Sequence, residues 1–563
     1  MEQSNISPLN RFWLLLKPDS IEIRNVYIFA VLSGILSLAL PLGIQAIINF
    51  IQIGQVSTSW IVLVFLVVLA IGFSGVLTIA QMRITENLQQ RIFVKSAFEF
   101  ADRIPKIKMD ELIKKYAPEL TNRFFDTLTI QKGLSKLLID FTAASLQIIF
   151  GLVLLSFYNS FFIFFGLTLV FLLALILKIT SKKGFESSLN ESKYKYKIAH
   201  WLEEIAHARF SFKMAGNPEL SLTKTDEHLN GYLTARNLHF RVLVQQFTFL
   251  IAFKVLIALA LLIIGGFLVL NQNMNIGQFI AAEIIILLVL NSVEKLIMSL
   301  EVVYDVMTAV EKIGQVTDIE LENYDGIKIP QREGGFELII DKVSYHTDLY
   351  RNPILKEITI EVNTNQRVCI ISDSTVSINT LFCLIGGMYP VSTGNISVEG
   401  LPIGNLNIQN LRNEIGNLLF QDRLFHATIL DNITLGRKYA TFEEVQRIAK
   451  ILNLSEAINN FSEGYNTVLN PEAHFVPKDI VRKILLLRAF VGNPKLVLLE
   501  DPSEGLNDVQ RNQLKELIST QQNVSVLYSS EDIQMLEFAD KIVEIEKGKV
   551  IFEGTYQSYK AKK

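Results

Sequence analysis

The sequence predicts an α-helical membrane domain followed by an α/β domain, on three observations. Hydrophobic residues make up 50% of the 563 residues and charged residues only 19%, below the roughly 25% of an ordinary soluble chain. The deficit sits in six long apolar runs within the first 300 residues. After residue 335 the pattern changes to short β-rich runs alternating with amphipathic helices, the mark of an α/β domain.

A hydrocarbon core of about 30 Å needs roughly 20 apolar residues in a helix. The runs that qualify are Val26–Phe50, Trp60–Gln81, Ile139–Tyr158, Phe161–Thr180, Phe247–Leu270 and Ile276–Leu300. Residues 51–59, 159–160 and 271–275 connect them briefly, whereas residues 82–138 and 181–246 form two long connections rich in helix formers. The short connections hold no Lys or Arg, and the first long one holds eleven. Cations stay on the cytoplasmic side, so both termini and both long connections are expected there, in a plasma (inner) membrane. A structureless loop of that length is unusual; the long connections are expected to continue the spans as helical hairpins.

Residues 1–25 read as an interfacial elbow, with Asn10–Lys17 as a short helix at the membrane surface, because Phe12, Trp13 and Leu14 mix with Arg11 and Lys17. Residues 26–317 form the membrane domain. Pro41 should bend the first span, since it offers no N–H and crowds the preceding turn. Lys254 and Glu283 are ionisable at membrane depth, which marks them as membrane-cavity candidates. From the outer helix ends they lie about 24 Å and about 10 Å deep at 1.5 Å per residue, too far apart to pair. Lys254 is expected to snorkel to the inner interface, and Glu283 to face an internal cavity.

Residues 318–335, acidic with Pro and Gly, read as a linker, and residues 336–563 as the second domain. Strands are expected at Phe336–Ile340, Arg367–Ser372, Lys495–Glu500, Val524–Ser529 and Lys541–Glu546, with a hairpin around Lys547-Gly548-Lys549. A net charge of −3 argues against a nucleic-acid partner. Cys369 and Cys383, alone in the chain, fit a reducing compartment.

Several segments carry a resemblance. Leu355–Ile360, Gln421-Asp422 with Asp431-Asn432-Ile433, Arg488-Ala489 through Asn493-Pro494-Lys495, Leu496–Asp501 and Ala539–Val543 resemble those of an ABC exporter half-transporter. The likeness covers nearly the whole chain. It implies six spans, a P-loop-type nucleotide-binding domain, ATP with Mg, and a homodimer or heterodimer in the bilayer. A narrower likeness to type I secretion and bacteriocin export transporters would imply an adaptor and an outer-membrane channel as partners.

The motifs that would carry ATP chemistry depart from the family pattern. The phosphate loop, G-x-x-G-x-G-K-S-T in the family, falls on Ser372-Asp373-Ser374-Thr375-Val376-Ser377-Ile378-Asn379-Thr380. Such a loop needs glycines, to turn its N–H groups inward, and a Lys to meet the phosphate charge. Here Ser372 and Ser377 replace glycines, Ile378 replaces the lysine, Asn379 takes the serine's place, and Thr380 keeps its type. The signature L-S-G-G-Q falls on Val476, Pro477, Lys478, Asp479 and Ile480. The acidic pair is Glu500-Asp501 where the family has Asp then Glu, and the switch histidine falls on Glu531. Gln421 is kept. The adenine-stacking aromatic falls near Thr347, with Tyr345 and Tyr350 as candidates by proximity.

Together the substitutions predict a pseudo-ATPase: a dimeric transport-type subunit whose nucleotide domain acts as a scaffold or clamp. The alternatives are a conventional ATP-driven exporter working with a partner, and a membrane receptor or assembly platform that no longer transports. No metal site other than Mg at the nucleotide is expected.

Overall fold

In the computed structural model the described residues are 7–53, 58–114, 117–216, 219–272, 274–330, 332–347, 351–470 and 476–562. Contacts divide the chain into two units, 1–107 with 111–320, and 108–110 with 321–563.

The first unit is helical. Its first helix, Pro8–Leu16, begins where Ser7 accepts a hydrogen bond from Asn10 N (3.3 Å) and Pro8 fills the first helical position, both favourable starts. Phe12 and Leu16 are buried beside Ile23, Leu88 and Val310, while Trp13 and Leu14 stay exposed. The first span runs as Ser20–Ser37 and Ala39–Ile53, interrupted at Leu38. The interruption follows from Pro41: it cannot donate to the carbonyl four residues back, Ser37, and its ring crowds that carbonyl. Leu38 N turns instead to Ile35 O at 3.1 Å.

The long connections are continuations of the spans. Thr58–Arg103 has 46 residues, Phe161–His207 has 47 and Leu220–Leu270 has 51, each close to 70 Å or more at 1.5 Å per residue. That is over twice the hydrocarbon thickness of about 30 Å, so each helix must project beyond it. The third span, Thr142–Ser156, is entered through a π-helical turn at Lys136–Phe141. The sixth, Ile276–Met298, opens on an Asn275–Gln278 capping box and continues as Leu300–Thr317. Among the described residues six helices are long and apolar enough to cross a membrane. Lipid tails are as apolar as leucine, so close packing rather than water exclusion holds such helices together. Gly151 serves that packing: a Cβ there would lie 2.6 Å from Val289 Cγ2 of the sixth span.

Lys254 finds a side-chain partner. Its ammonium forms an ion pair with Glu294 of the sixth span. Glu294 is about 27 Å from the outer end of its helix, level with Lys254 at about 24 Å. Glu283 is half-buried, and no hydrogen bond or ion pair to it occurs among the described residues.

Among its described residues the second unit holds twelve strands: β1 (Leu338–Tyr345), β2 (Leu355–Val362), β3 (Arg367–Ser372), β4 (Thr393–Val398), β5 (Leu401–Pro402), β6 (Ile415–Leu418), β7 (Ala427–Thr428), β8 (Val468–Leu469), β9 (Leu496–Leu499), β10 (Ser525–Ser529), β11 (Lys541–Glu546) and β12 (Lys549–Gly554). An antiparallel sheet runs β2-β1-β4-β5, and a six-stranded sheet runs β12-β11-β3-β10-β9-β6. In the latter β11, β3, β10, β9 and β6 are parallel. Parallel strands buried on both faces read as unbroken apolar runs, and all four residues of β9 are buried. The predicted strands at Arg367–Ser372 and Lys541–Glu546 match β3 and β11 to the residue. The β11–β12 hairpin turns on Lys547 (φ 51°) and Gly548 (φ 76°), the pair of left-handed residues a two-residue turn requires.

Candidate functional site

The second unit brings part of the predicted motif residues to one end of the parallel strands. β3 delivers Ser372, β9 delivers Glu500 and Asp501, and β10 precedes Glu531. Open parallel sheets bind ligands at this edge, beyond the carboxyl ends of the strands.

The loop after β3 is short. Only Asp373 and Ser374 separate the strand from the helix Thr375–Ile385. No residue from 372 to 380 has positive φ, so this stretch lacks the left-handed turns that make successive N–H groups converge on an anion. Ser377, Ile378 and Thr380 are wound into the helix and buried. Ile378, at the lysine position, packs in the core with the antiparallel sheet. Asp373 turns its carboxylate to the hairpin, where it accepts from Lys547 N at 3.1 Å. Ser372 Oγ accepts from Ser374 N at 3.2 Å.

Asn379 reaches the acidic pair. Its Nδ2 donates to Glu500 Oε2 at 3.0 Å, and Phe420 N donates to the same oxygen at 2.8 Å. Glu500 is 9% exposed, and a buried carboxylate needs such donors. Arg482, in the helix Lys478–Phe490, donates to the carbonyls of Glu500 and Asp501. Asp501 stands at φ 44° with its N–H donating to Ser529 Oγ at 2.9 Å. Partial burial, with the carboxylates of Glu504, Glu531 and Glu500 nearby, pushes its carboxyl above the usual range against the pull of Arg482.

The remaining predicted residues are dispersed. Gln421 and Glu531 are exposed. Val476 and Pro477 precede the helix Lys478–Phe490, and Lys478, Asp479 and Ile480 form its first turn. Asp479 Oδ2 accepts from Gln510 Nε2 at 3.0 Å. Tyr345 is not a free stacking platform: it is 9% exposed and its ring lies 5.7 Å from that of Tyr389. Tyr350 lies outside the described residues.

Sequence reasoning missed Arg482 and Phe420. No motif flags either, because each acts through geometry: a guanidinium spanning two carbonyls, and a backbone N–H. Other segments of the resemblance are structural. Arg488 is buried, with Nε donating to Asn432 O at 2.7 Å and a terminal nitrogen to Arg423 O at 3.2 Å.

A family model for the ABC transporter transmembrane region matches residues 23–293. The chain is 27% identical over 296 residues to YgaD of Bacillus subtilis (strain 168), whose name describes a multidrug export ATP-binding/permease protein. That stretch covers 52% of this chain and 51% of the relative. The similarly named SAV1866 of Staphylococcus aureus (strain Mu50 / ATCC 700699) is 29% identical over 247 residues, 44% of this chain and 42% of that one. The chain thus spans about half the length of these relatives or less. The structure of a bacterial Atm1-family ABC exporter with ATP bound superposes with a TM-score of 0.81 over 96% of both chains, at 16% identity. At that identity the likeness speaks for the fold alone.

Proposed function

We infer the function from one premise: the chain is an ABC exporter half-transporter, with an ABC transporter transmembrane region by sequence and the exporter fold throughout. On that premise we propose that it is an integral membrane transport subunit, working as a dimer, whose nucleotide domain does not hydrolyse ATP. The domain then serves as a scaffold or clamp for the membrane helices. Its placement, with both termini, on the cytoplasmic side rests on the Lys and Arg of the long connections.

One observation carries the ATPase part. The residues at the phosphate-loop positions do not fit a triphosphate with Mg: the helix begins at Thr375, the lysine position is the buried Ile378, and the Asn379 amide is bonded to Glu500. The signature positions of the same chain lack their glycines as well. In this family each site joins the phosphate loop of one chain to the signature of the other, so even an intact partner would complete neither site.

A second reading is favoured by the relatives' names, which describe ATP-binding/permease proteins for multidrug export: a conventional ATP-driven exporter acting with a partner. The purified chain in lipid, alone and with any co-purifying subunit, separates the two. Vanadate-sensitive ATP turnover by the chain, alone or together with that subunit, would establish the second; its absence in both, with calorimetric Mg-ATP affinity weaker than millimolar, is the expected result.

A further inference from the structure

The elbow helix Pro8–Leu16 and the start of the first span enclose an open groove. Two adjoining hollows of about 600 and 470 Å³ share Ser20 and Ile23 on their floor. Trp13 lines one hollow and Tyr27 the other, and both are exposed. Aromatics of this kind settle at the membrane–water boundary. Beyond Tyr27 the groove continues along Ile28 and Val31, also exposed.

The rim is cationic. Lys17 and Arg24 line the hollows and are exposed. The acids of the same turns are engaged elsewhere: Asp19 and Glu22 both accept from Arg91, at 3.0 and 2.8 Å. No ion pair or hydrogen bond to the side chains of Lys17 or Arg24 occurs among the described residues. From Arg24 to the exposed Ile35 the helix rises about 16 Å, close to half the hydrocarbon thickness of about 30 Å. A charged head at one end and one leaflet's depth of apolar wall below it match one lipid molecule.

We propose that this groove binds an anionic phospholipid, its headgroup phosphate against Lys17 and Arg24 and an acyl chain along Ile28 and Val31. A zwitterionic lipid would place its own cation beside these two. An anionic one meets them without that repulsion. The inference is independent of whether the second unit hydrolyses ATP.

Native mass spectrometry of the delipidated full chain, titrated with phosphatidylglycerol or phosphatidylcholine, tests it. Phosphatidylglycerol should be preferred roughly tenfold, as expected for two surface cations acting together. The double variant Lys17→Gln with Arg24→Gln should bring the preference to within about twofold. The charge-keeping pair Lys17→Arg with Arg24→Lys should retain it. Val31→Trp, which fills the hollow without touching either cation, should reduce uptake of both lipids. No preference in the wild type, or a preference that survives the glutamine pair, overturns the proposal. So does a glutamine pair that shifts the oligomeric mass with lipid selectivity intact, which would make the groove a protein interface.

Discussion

The side-chain amide of Asn379 donates a 3.0 Å hydrogen bond to Glu500 Oε2, tying the helix after β3 to the end of β9. The same oxygen accepts from Phe420 N at 2.8 Å. The carboxylate is therefore satisfied from within the fold, and the loop in front of it is reduced to two residues. Reinstating a single phosphate-binding residue leaves this arrangement in place.

Ile378→Lys is expected to destabilise rather than to rescue. Ile378 is 6% exposed in an apolar core, so the variant buries an ammonium without a partner, at a cost of several kcal/mol. A thermal melt should show a large loss of Tm, and calorimetry no gain in Mg-ATP affinity. A lysine variant that stays as stable as wild type and binds Mg-ATP below 0.1 mM would contradict this.

The Lys254–Glu294 pair joins the fifth and sixth spans. Removing one partner leaves the other charged at membrane depth, so Lys254→Gln and Glu294→Gln should each destabilise. The double variant should recover part of the loss, with a coupling energy of about 0.5–3 kcal/mol. Strictly additive unfolding energies, measured by denaturant titration in micelles, would show that the pair contributes nothing. Glu283→Gln, which breaks no such contact, should have the smaller effect on stability.

Asp501 supplies a pH test. Its carboxyl is raised in the fold, so the protonated form is favoured there. The stability that this group contributes is complete below its ordinary value of about 3.9 and is lost as pH rises through the raised value. Asp501→Asn removes the penalty of the anion. The variant's advantage in Tm should grow as pH rises above about 4. Asn also suits the φ of 44°, which adds an offset that does not vary with pH. A difference in Tm that is flat from pH 4 to pH 7 would refute the assignment.

Gly416 in β6 lies against the helix Lys478–Phe490. A Cβ there would stand 1.8 Å from Ala489 O in the last turn of that helix, and a backbone oxygen cannot step aside as cheaply as a side chain. Gly416→Ala should cost about 1–3 kcal/mol, as overpacking does, and lower Tm. An unchanged melt would mean that β6 and the helix part without penalty.

The sequence by itself determined the two-part architecture. Span length is set by the thickness of hydrocarbon, and strand runs such as Leu496–Leu499 by burial on both faces, so both are written in local composition. Pro41 and the Lys547-Gly548 turn were legible because a ring and a missing side chain constrain the backbone at their own positions. The altered phosphate-loop and signature residues were legible as letters. Only the tertiary structure decided what those letters do: that Asn379 meets Glu500, that Ile378 turns into the core, and that Tyr345 is spent on Tyr389. It also gave Lys254 its partner, forty residues away in sequence. Composition records what a residue offers. Which carboxylate, carbonyl or ring it meets depends on the packing of elements distant in the chain.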